Sequence, residues 1–302
     1  MRALVLDGTG SISIHDVEEA PLRAGECRVA VRVAGICGTD LELIKGYANY
    51  RGVLGHEFVG TVICGSDRLH GRRVVGEINA ACGQCAACSA GLSRHCPTRT
   101  VLGIVGRAGA FAQTLTLPER NLIEVPAHID DEEAVFTEPV AAALEIFEQV
   151  HIRPGSRVLV IGDGKLGLLV AQVCALSGAR TTLHGRHEGK LALARRWGIE
   201  ARRVEATAGQ TAGEARFPFV IECTGRGATL AEALSWTAPR GTLLLKSTYA
   251  PGLPPVVDWT RVVVDEISVV GSRCGLFPPA LQWIGSGRLD VRSLIGGRFT
   301  LE

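Results

Sequence analysis

The chain has 302 residues, 46% apolar and 21% charged, enough for about two globular domains with little room for long disorder. Its net charge of +1 excludes the basic footprint of a nucleic-acid or anionic-membrane binder, and no apolar run reaches the ~20 residues of a membrane helix. The N-terminal "MRALVLDGTGSISIHD" turns polar within a few residues and lacks the apolar core of a secretion signal, so a cytoplasmic protein is expected.

Residues 1 to about 145 alternate in short runs, "RALVL", "CRVAVRVAG", "FVGTVI", "RRVVGEI" and "FAQTLTL", punctuated by Gly, Pro and Asp. That pattern predicts a β-rich domain. "TEPVAAALEIFEQV" then predicts a helix with Pro139 in its first turn, where a missing N–H costs nothing. From Val158 strands and helices alternate: "RVLVIGDG", "KLGLLVAQVCALSG", "TTLHG", "GKLALARRWG", "FPFVIECTG", "ATLAEALSWTA" and "GTLLLKST". Such alternation implies a parallel sheet with right-handed crossovers. After "ISVVGS" it stops, and a short helix in "PPALQWIGSG" and a small β tail are expected.

Four of the ten cysteines, Cys82, Cys85, Cys88 and Cys96, are spaced by two, two and seven residues. Without a secretion signal, such crowding reads as a metal site, and four thiolates suit tetrahedral zinc. Gly83 and Gly91 help the chain fold back on itself. An iron–sulfur cluster is the rival, because Pro97 follows Cys96, but the last spacing of the ferredoxin run is three rather than seven. A closed, all-sulfur site has a structural role. Elsewhere, "GICGTD" holds a lone Cys37, and nineteen residues on "GHEFVG" holds His56 and Glu57 between glycines. Cysteine, histidine and carboxylate are a catalytic-type zinc set, although spacing alone leaves a packed histidine equally open.

"VLVIGDGKLG" places Gly162, Gly164 and Gly167, with Lys165 and Leu166 between them, after a strand and at the start of a helix. This is the context a dinucleotide-binding turn requires, with the pyrophosphate at the helix N-terminus. NAD binding calls for an acid at the end of the second strand, about 20 residues on. Here the strand ends in Gly185 and Arg186, which favours the 2′-phosphate of NADP, with His187 and Lys190 adding charge. Glu188 serving NAD is the alternative.

With "TEPVAAAL" and "VVGS", these motifs make the chain resemble, over nearly its whole length, the zinc-dependent medium-chain dehydrogenase/reductase family, which includes alcohol, polyol and threonine dehydrogenases. The resemblance implies an α/β protein: a GroES-like β domain over residues 1–145 and 273–302, and a Rossmann domain with a doubly wound parallel sheet over 146–272. It implies a catalytic zinc at Cys37, His56, Glu57 and Glu138, the last standing where other members have cysteine, and a structural zinc at the four-cysteine lobe. Thr39 matches the hydroxyl that contacts the substrate oxygen, and Asp40 the acid that steadies the site. Thr224, Gly225, Ser247, Gly271 and Ser272 match positions lining the cofactor crevice. The implied reaction is hydride transfer between a primary or secondary alcohol and NADP or NAD, NADP being favoured, with zinc as Lewis acid and Thr39 passing the hydroxyl proton outward. Glu138 leans towards polyols or sugar derivatives. A homodimer or homotetramer is implied, with no nucleic-acid or membrane partner.

The sequence departs from the family in places. Glu42 stands where many members have a proton-relay histidine, and it reads equally as a solvated residue at a helix start. "TVICGSDRLHGRRVVGE" is shorter than usual, and the chain ends at "GRFTLE", where members normally continue through a helix and a closing strand. These departures motivate an alternative, a non-catalytic NADP(H)-binding sensor or scaffold of the same fold. Both zinc sets oppose a zinc-free reductase.

Overall fold

The alternating N-terminal runs fold as strands because their apolar and β-branched residues fall on every second position, which suits a half-buried pleat. The computed structural model describes residues 1–204, 216–248 and 257–301. The chain divides into two compact units. One is Met1–Glu138 with Leu276–Gly287 and Ile295–Glu302, and the other is Pro139–Gly275 with Arg288–Leu294.

The first unit carries β1 (Arg2–Leu6), β2 (Ile12–Asp16), β3 (Glu26–Gly35), α1 (Gly38–Ile44), β4 (Gly52–Val53), β5 (Glu57–Cys64), β6 (Arg73–Gly76) and β7 (Asn79–Ala80). It continues with α2 (Ala86–Ser89), β8 (Thr100–Leu102), β9 (Gly106–Arg107), β10 (Thr114–Pro118), β11 (Leu122–Glu124) and α3 (Asp131–Ala134). A five-stranded antiparallel sheet has the order β10-β3-β5-β6-β11. Smaller sheets join β2-β1-β4 and β7-β8-β9. Two features aim the site. The pairing of β3 with β5 sets Gly35 opposite Glu57. Leu43 of α1 is buried with Leu6, Tyr50 and Leu54, fixing the short helix against the body. Each such fully buried leucine contributes roughly 1.5–3 kcal/mol, which a seven-residue helix needs because it is too short to be stable alone.

The second unit holds most of α4 (Thr137–Gln149), then β12 (Arg157–Ile161), α5 (Lys165–Leu176), β13 (Arg180–Gly185), α6 (Glu188–Arg196), β14 (Glu200–Arg203) and β15 (Phe217–Glu222). It continues with α7 (Gly227–Trp236), β16 (Thr237–Leu245), α8 (Trp259–Val264) and β17 (Ser268–Gly271); α9 (Phe277–Gly285) belongs to the first unit. Its sheet is parallel throughout, in the order β14-β13-β12-β15-β16-β17. That is the doubly wound dinucleotide-binding order, with its switch between β12 and β15. Buried on both faces, the central strands are continuous apolar runs: Val158, Leu159 and Val160 are 0% exposed. Among the described residues no helix is long and apolar enough to cross a membrane.

Three elements differ from the sequence pattern. β14, "EARR", has no apolar signature; among the described residues it is an edge strand paired only to β13, where polar side chains are tolerated. β16 starts at Thr237 rather than Gly241, because Thr237 pairs with Phe217 ahead of a register shift. The tail after α9 holds no strand among the described residues, only the short turn Arg292–Leu294. Side chains hold it instead: Trp197 Nε1 donates to Asp290 Oδ2 at 2.9 Å, and the Asp290 N–H donates to Gln172 Oε1 at 2.8 Å.

Candidate metal centres and nucleotide-binding site

α1 begins directly after β3, with Cys37 as its extended N-cap residue. Three residues on, Asp40 turns its carboxylate back. Oδ2 accepts the Cys37 N–H at 2.8 Å, and Oδ1 accepts the Gly55 N–H at 3.3 Å and stands 3.2 Å from His56 Nδ1. One buried carboxylate thus ties together the two segments that bear candidate ligands. The Asp40 and His56 side chains are only 2% and 3% exposed, so the pair is nearly dry. Gly55 has φ +94°, and an ideal Cβ there would lie 2.6 Å from the Phe111 ring, so the chain turns into β5 only with glycine. At Gly35 a Cβ would fall 2.3 Å from Glu57 Oε2, so the missing side chain makes room for that carboxylate.

The result is convergence: one ligand atom each from Cys37, His56 and Glu57 lie within 4.8 Å of one another. With Nδ1 facing Asp40, Nε2 is left to meet a metal, the usual carboxylate–histidine arrangement. Burial alone would lower the His56 pKa, but Asp40 and then Cys37 outweigh it and hold the imidazole well above its ordinary value. Thr39 Oγ1 lies 3.8 Å from Cys37 Sγ. Glu138, the second residue of α4, is half-buried and is not part of that 4.8 Å cluster. Glu42 forms a surface ion pair with Lys45 at 2.8 Å.

The second cluster is the cysteine lobe. Its Sγ atoms are separated by 4.0 Å (Cys82–Cys88), 3.5 Å (Cys85–Cys88), 3.8 Å (Cys85–Cys96) and 3.6 Å (Cys96–Cys82). Four thiolates around one zinc at ~2.3 Å would be about 3.8 Å apart, so this donor set fits the ion. The N–H of Cys82 and then the hydroxyl of Thr98 hold the Cys96 thiol down to about 6, favouring the thiolate that a metal needs.

In the second unit the proposed cofactor residues gather at the C-terminal ends of the strands. Gly162, with φ +116°, follows β12; Gly164 caps α5, and Lys165 and Leu166 are its first residues. A Cβ on Gly164 would meet nothing within 4 Å, so the backbone there is open to a ligand, whereas one on Gly167 would meet Gly162 O at 1.9 Å. Thr224 and Gly225 follow β15, and Ser247 follows β16; a Cβ on Gly225 would lie 3.2 Å from that of Ser247. Gly271 ends β17, and the Ser272 hydroxyl accepts a bond from the buried Lys246 Nζ at 3.0 Å. Arg186 is exposed beyond β13. Glu222 and Lys246 carry no functional motif in the sequence. Glu222 takes the Thr224 N–H at 2.6 Å and the Gly225 N–H at 3.3 Å, and Lys246 donates to Ala142 O at 2.6 Å and Arg273 O at 3.0 Å. Their only sequence signal is a charge beside an apolar strand.

Residues 23–127 match the family model described as alcohol dehydrogenase GroES-like domain, and residues 166–286 the one described as zinc-binding dehydrogenase. An L-threonine 3-dehydrogenase of Streptomyces avermitilis is 32% identical over 99% of this chain and 92% of its own length. The chain belongs to the zinc-dependent medium-chain dehydrogenase/reductase family. A structure described as a zinc-binding dehydrogenase of Sinorhizobium meliloti 1021, bound to NADP, matches this family member at 29% identity and TM-score 0.88, over 98% of this chain and 91% of that one. An alcohol dehydrogenase of Escherichia coli CFT073 complexed with NADH matches at 28% and 0.87, over 97% and 89%. This medium-chain dehydrogenase is therefore an enzyme that exchanges hydride between an alcohol and a nicotinamide cofactor.

Asp40, together with Cys37, raises the His56 pKa against the effect of burial. In the metal-free dehydrogenase the folded-state pKa lies above the 6.5 of a free imidazole, so the protonated pair stabilises the fold fully below pH 6.5. That contribution is lost as pH rises through the folded value. Asp40→Asn should move the His56 titration down, read by NMR on chelator-treated protein; an unmoved titration would contradict the pairing.

Proposed function

We propose that Cys37, His56 and Glu57, with Glu138 joining from α4, hold a catalytic zinc, and that Cys82, Cys85, Cys88 and Cys96 hold a structural one. The convergence of the first three ligand atoms on one another, with Asp40 holding the Cys37 and His56 segments, is the observation that carries this reading. When bound, zinc supplies Lewis acidity that eases loss of the alcohol proton, and the nicotinamide supplies the hydride acceptor. The chain's own residues do the rest. Asp40 fixes the tautomer of His56 by facing Nδ1 and keeps the Cys37 segment in place. Thr39, beside the Cys37 sulfur, accepts the hydroxyl proton and hands it outward. Glu42 is engaged by Lys45 at the surface, which supports a solvated residue rather than a relay. The substrate class is a small secondary alcohol, a polyol or sugar derivative, supported by the carboxylate at position 138. Four clustered cysteines acting as thiolate ligands rather than disulfides suit a reducing compartment such as the cytoplasm.

NADP is the cofactor this reading favours. Arg186 and Lys190 are exposed beyond β13, and Glu188, the acid that would serve NAD, is held by Arg195. We also propose that two copies associate along β17, an edge strand of the parallel sheet. Trp259, Val263 and Val264 on the adjoining α8 are 64%, 77% and 72% exposed and Val269 of β17 is 41% exposed, an apolar surface of the kind copies of one chain cover.

Cys37→Ala should reduce kcat/KM on a panel of polyols and secondary alcohols by at least ~10³-fold with the fold intact by circular dichroism; retained turnover would overturn the catalytic assignment. Arg186→Ala should weaken NADPH by about tenfold or more and leave NADH nearly unchanged, equal losses rejecting the 2′-phosphate role. In sedimentation the 32.0 kDa chain should run as a dimer or tetramer, and a monomer would remove the β17 contact.

A further inference from the structure

In a dinucleotide site of this order, the acid that meets the ribose stands at the end of the second strand. β13 ends in Gly185 instead, and the carboxylate nearest that point comes from the glycine turn. Asp163, between Gly162 and Gly164, is only 6% exposed. Its Oδ2 accepts the N–H of Arg186 at 2.8 Å and of His187 at 2.6 Å. His187 Nδ1 lies 3.0 Å from Oδ2 and 3.1 Å from Oδ1. Gly185 makes the room: a Cβ there would fall 2.5 Å from the Asp163 Cβ and 2.7 Å from Oδ2. Asp163 and Gly185 are therefore a matched pair, the absent side chain of one accommodating the carboxylate of the other.

A negative charge inside the turn that approaches a pyrophosphate would repel it unless balanced. Two backbone N–H groups and an imidazole balance it here. Burial alone would raise the Asp163 pKa, but the bonds from His187 and Arg186 outweigh it and hold the carboxyl below the usual range, so it is ionised at neutral pH. The Asp163 charge points inward, and basic side chains surround the turn on its exposed side. Arg186 and Lys190 are exposed, the His187 side chain is 58% exposed, and Arg203, paired with Gly185 in β14, is exposed as well.

Resting on the NADP reading above, we propose that Asp163 is the positioning residue for cofactor choice. It fixes the Gly185–His187 turn so that Arg186 and His187 face an adenosine 2′-phosphate. Its two oxygens are held within the chain, away from a ribose 2′-hydroxyl.

The test is equilibrium binding of NADPH and NADH to the zinc-loaded, full-length protein, by calorimetry, for wild type, Asp163→Ala and Asp163→Asn. Asp163→Ala should raise the Kd for NADPH on the order of tenfold and that for NADH by less than about threefold. Asp163→Asn, which keeps an acceptor for both N–H groups, should recover most of the NADPH affinity and keeps the test decisive if the alanine variant does not fold. In an Arg186→Ala background the Asp163→Ala effect on NADPH should shrink to the smaller part carried by His187, since Asp163 acts largely through Arg186. Equal weakening of both cofactors, additivity with Arg186→Ala, failure of Asp163→Asn to recover affinity, or a larger loss for NADH would overturn the proposal, the last by making Asp163 the ribose acid. A wild-type protein that binds NADH more tightly than NADPH would instead overturn the cofactor reading, and the change of ratio in Asp163→Ala would still decide the positioning role.

Discussion

Asp40 is 1% exposed and ionisable, a combination that folding tolerates only when the charge is fully engaged. Its partners are the N–H of Cys37, the N–H of Gly55 and the Nδ1 of His56. Those three groups belong to segments on either side of α1, so one carboxylate decides where the Cys37 sulfur and the His56 imidazole stand. The packing around it serves the same end. Leu43 and Leu54 bury the far side of α1 and the residue before Gly55, and Gly35 leaves the gap that Glu57 fills. Truncating the acid would leave buried donors without partners, at about 1–3 kcal/mol each, as well as freeing the candidate ligands Cys37 and His56.

The same device recurs in the nucleotide-binding unit. Asp163 collects the N–H groups of Arg186 and His187, and Glu222, 0% exposed, collects those of Thr224 and Gly225. In each case a buried carboxylate fixes the backbone of a loop at the C-terminal end of a strand and leaves the loop's outward surface to meet a ligand. Lys246 is the cationic counterpart, with carbonyls of Ala142 and Arg273 and the hydroxyl of Ser272 around its ammonium. A charge that binds backbone dipoles at short range in a dry site is more rigid than an exposed ion pair, which suits loops that must hold still around a cofactor.

Much of this was legible in the sequence because the chemistry is spaced along the chain. The four cysteines need only local turns to converge, so their spacing alone predicts a cluster. The glycines of "GDGKLG" sit between a strand and a helix whose periodicities differ, and the alternation that follows implies a parallel sheet. What the sequence hides is burial of charge. Nothing local marks Asp163 as an internal acceptor, since its partners lie more than twenty residues on. β14 is invisible for a related reason: an edge strand made of "EARR" is specified by its neighbour's backbone rather than by its own side chains. The tail after α9 reads as strand-like, yet it is held by Trp197 and Gln172 across a long sequence separation. Glu42 reads in the sequence equally as a relay or as a solvated residue, and the nearby Lys45 that engages it is the kind of helical pair spacing reveals.

On the proposed reading, two different donor sets each hold a zinc ion, one closed by sulfur and one open for chemistry. Diffraction data collected on either side of the zinc absorption edge, from crystals of the protein as purified, address it directly. The account predicts two anomalous peaks per chain, one amid the sulfurs of Cys82, Cys85, Cys88 and Cys96 and one between Cys37, His56 and Glu57. A single peak in the cysteine lobe, with none at the Cys37 set, would contradict it.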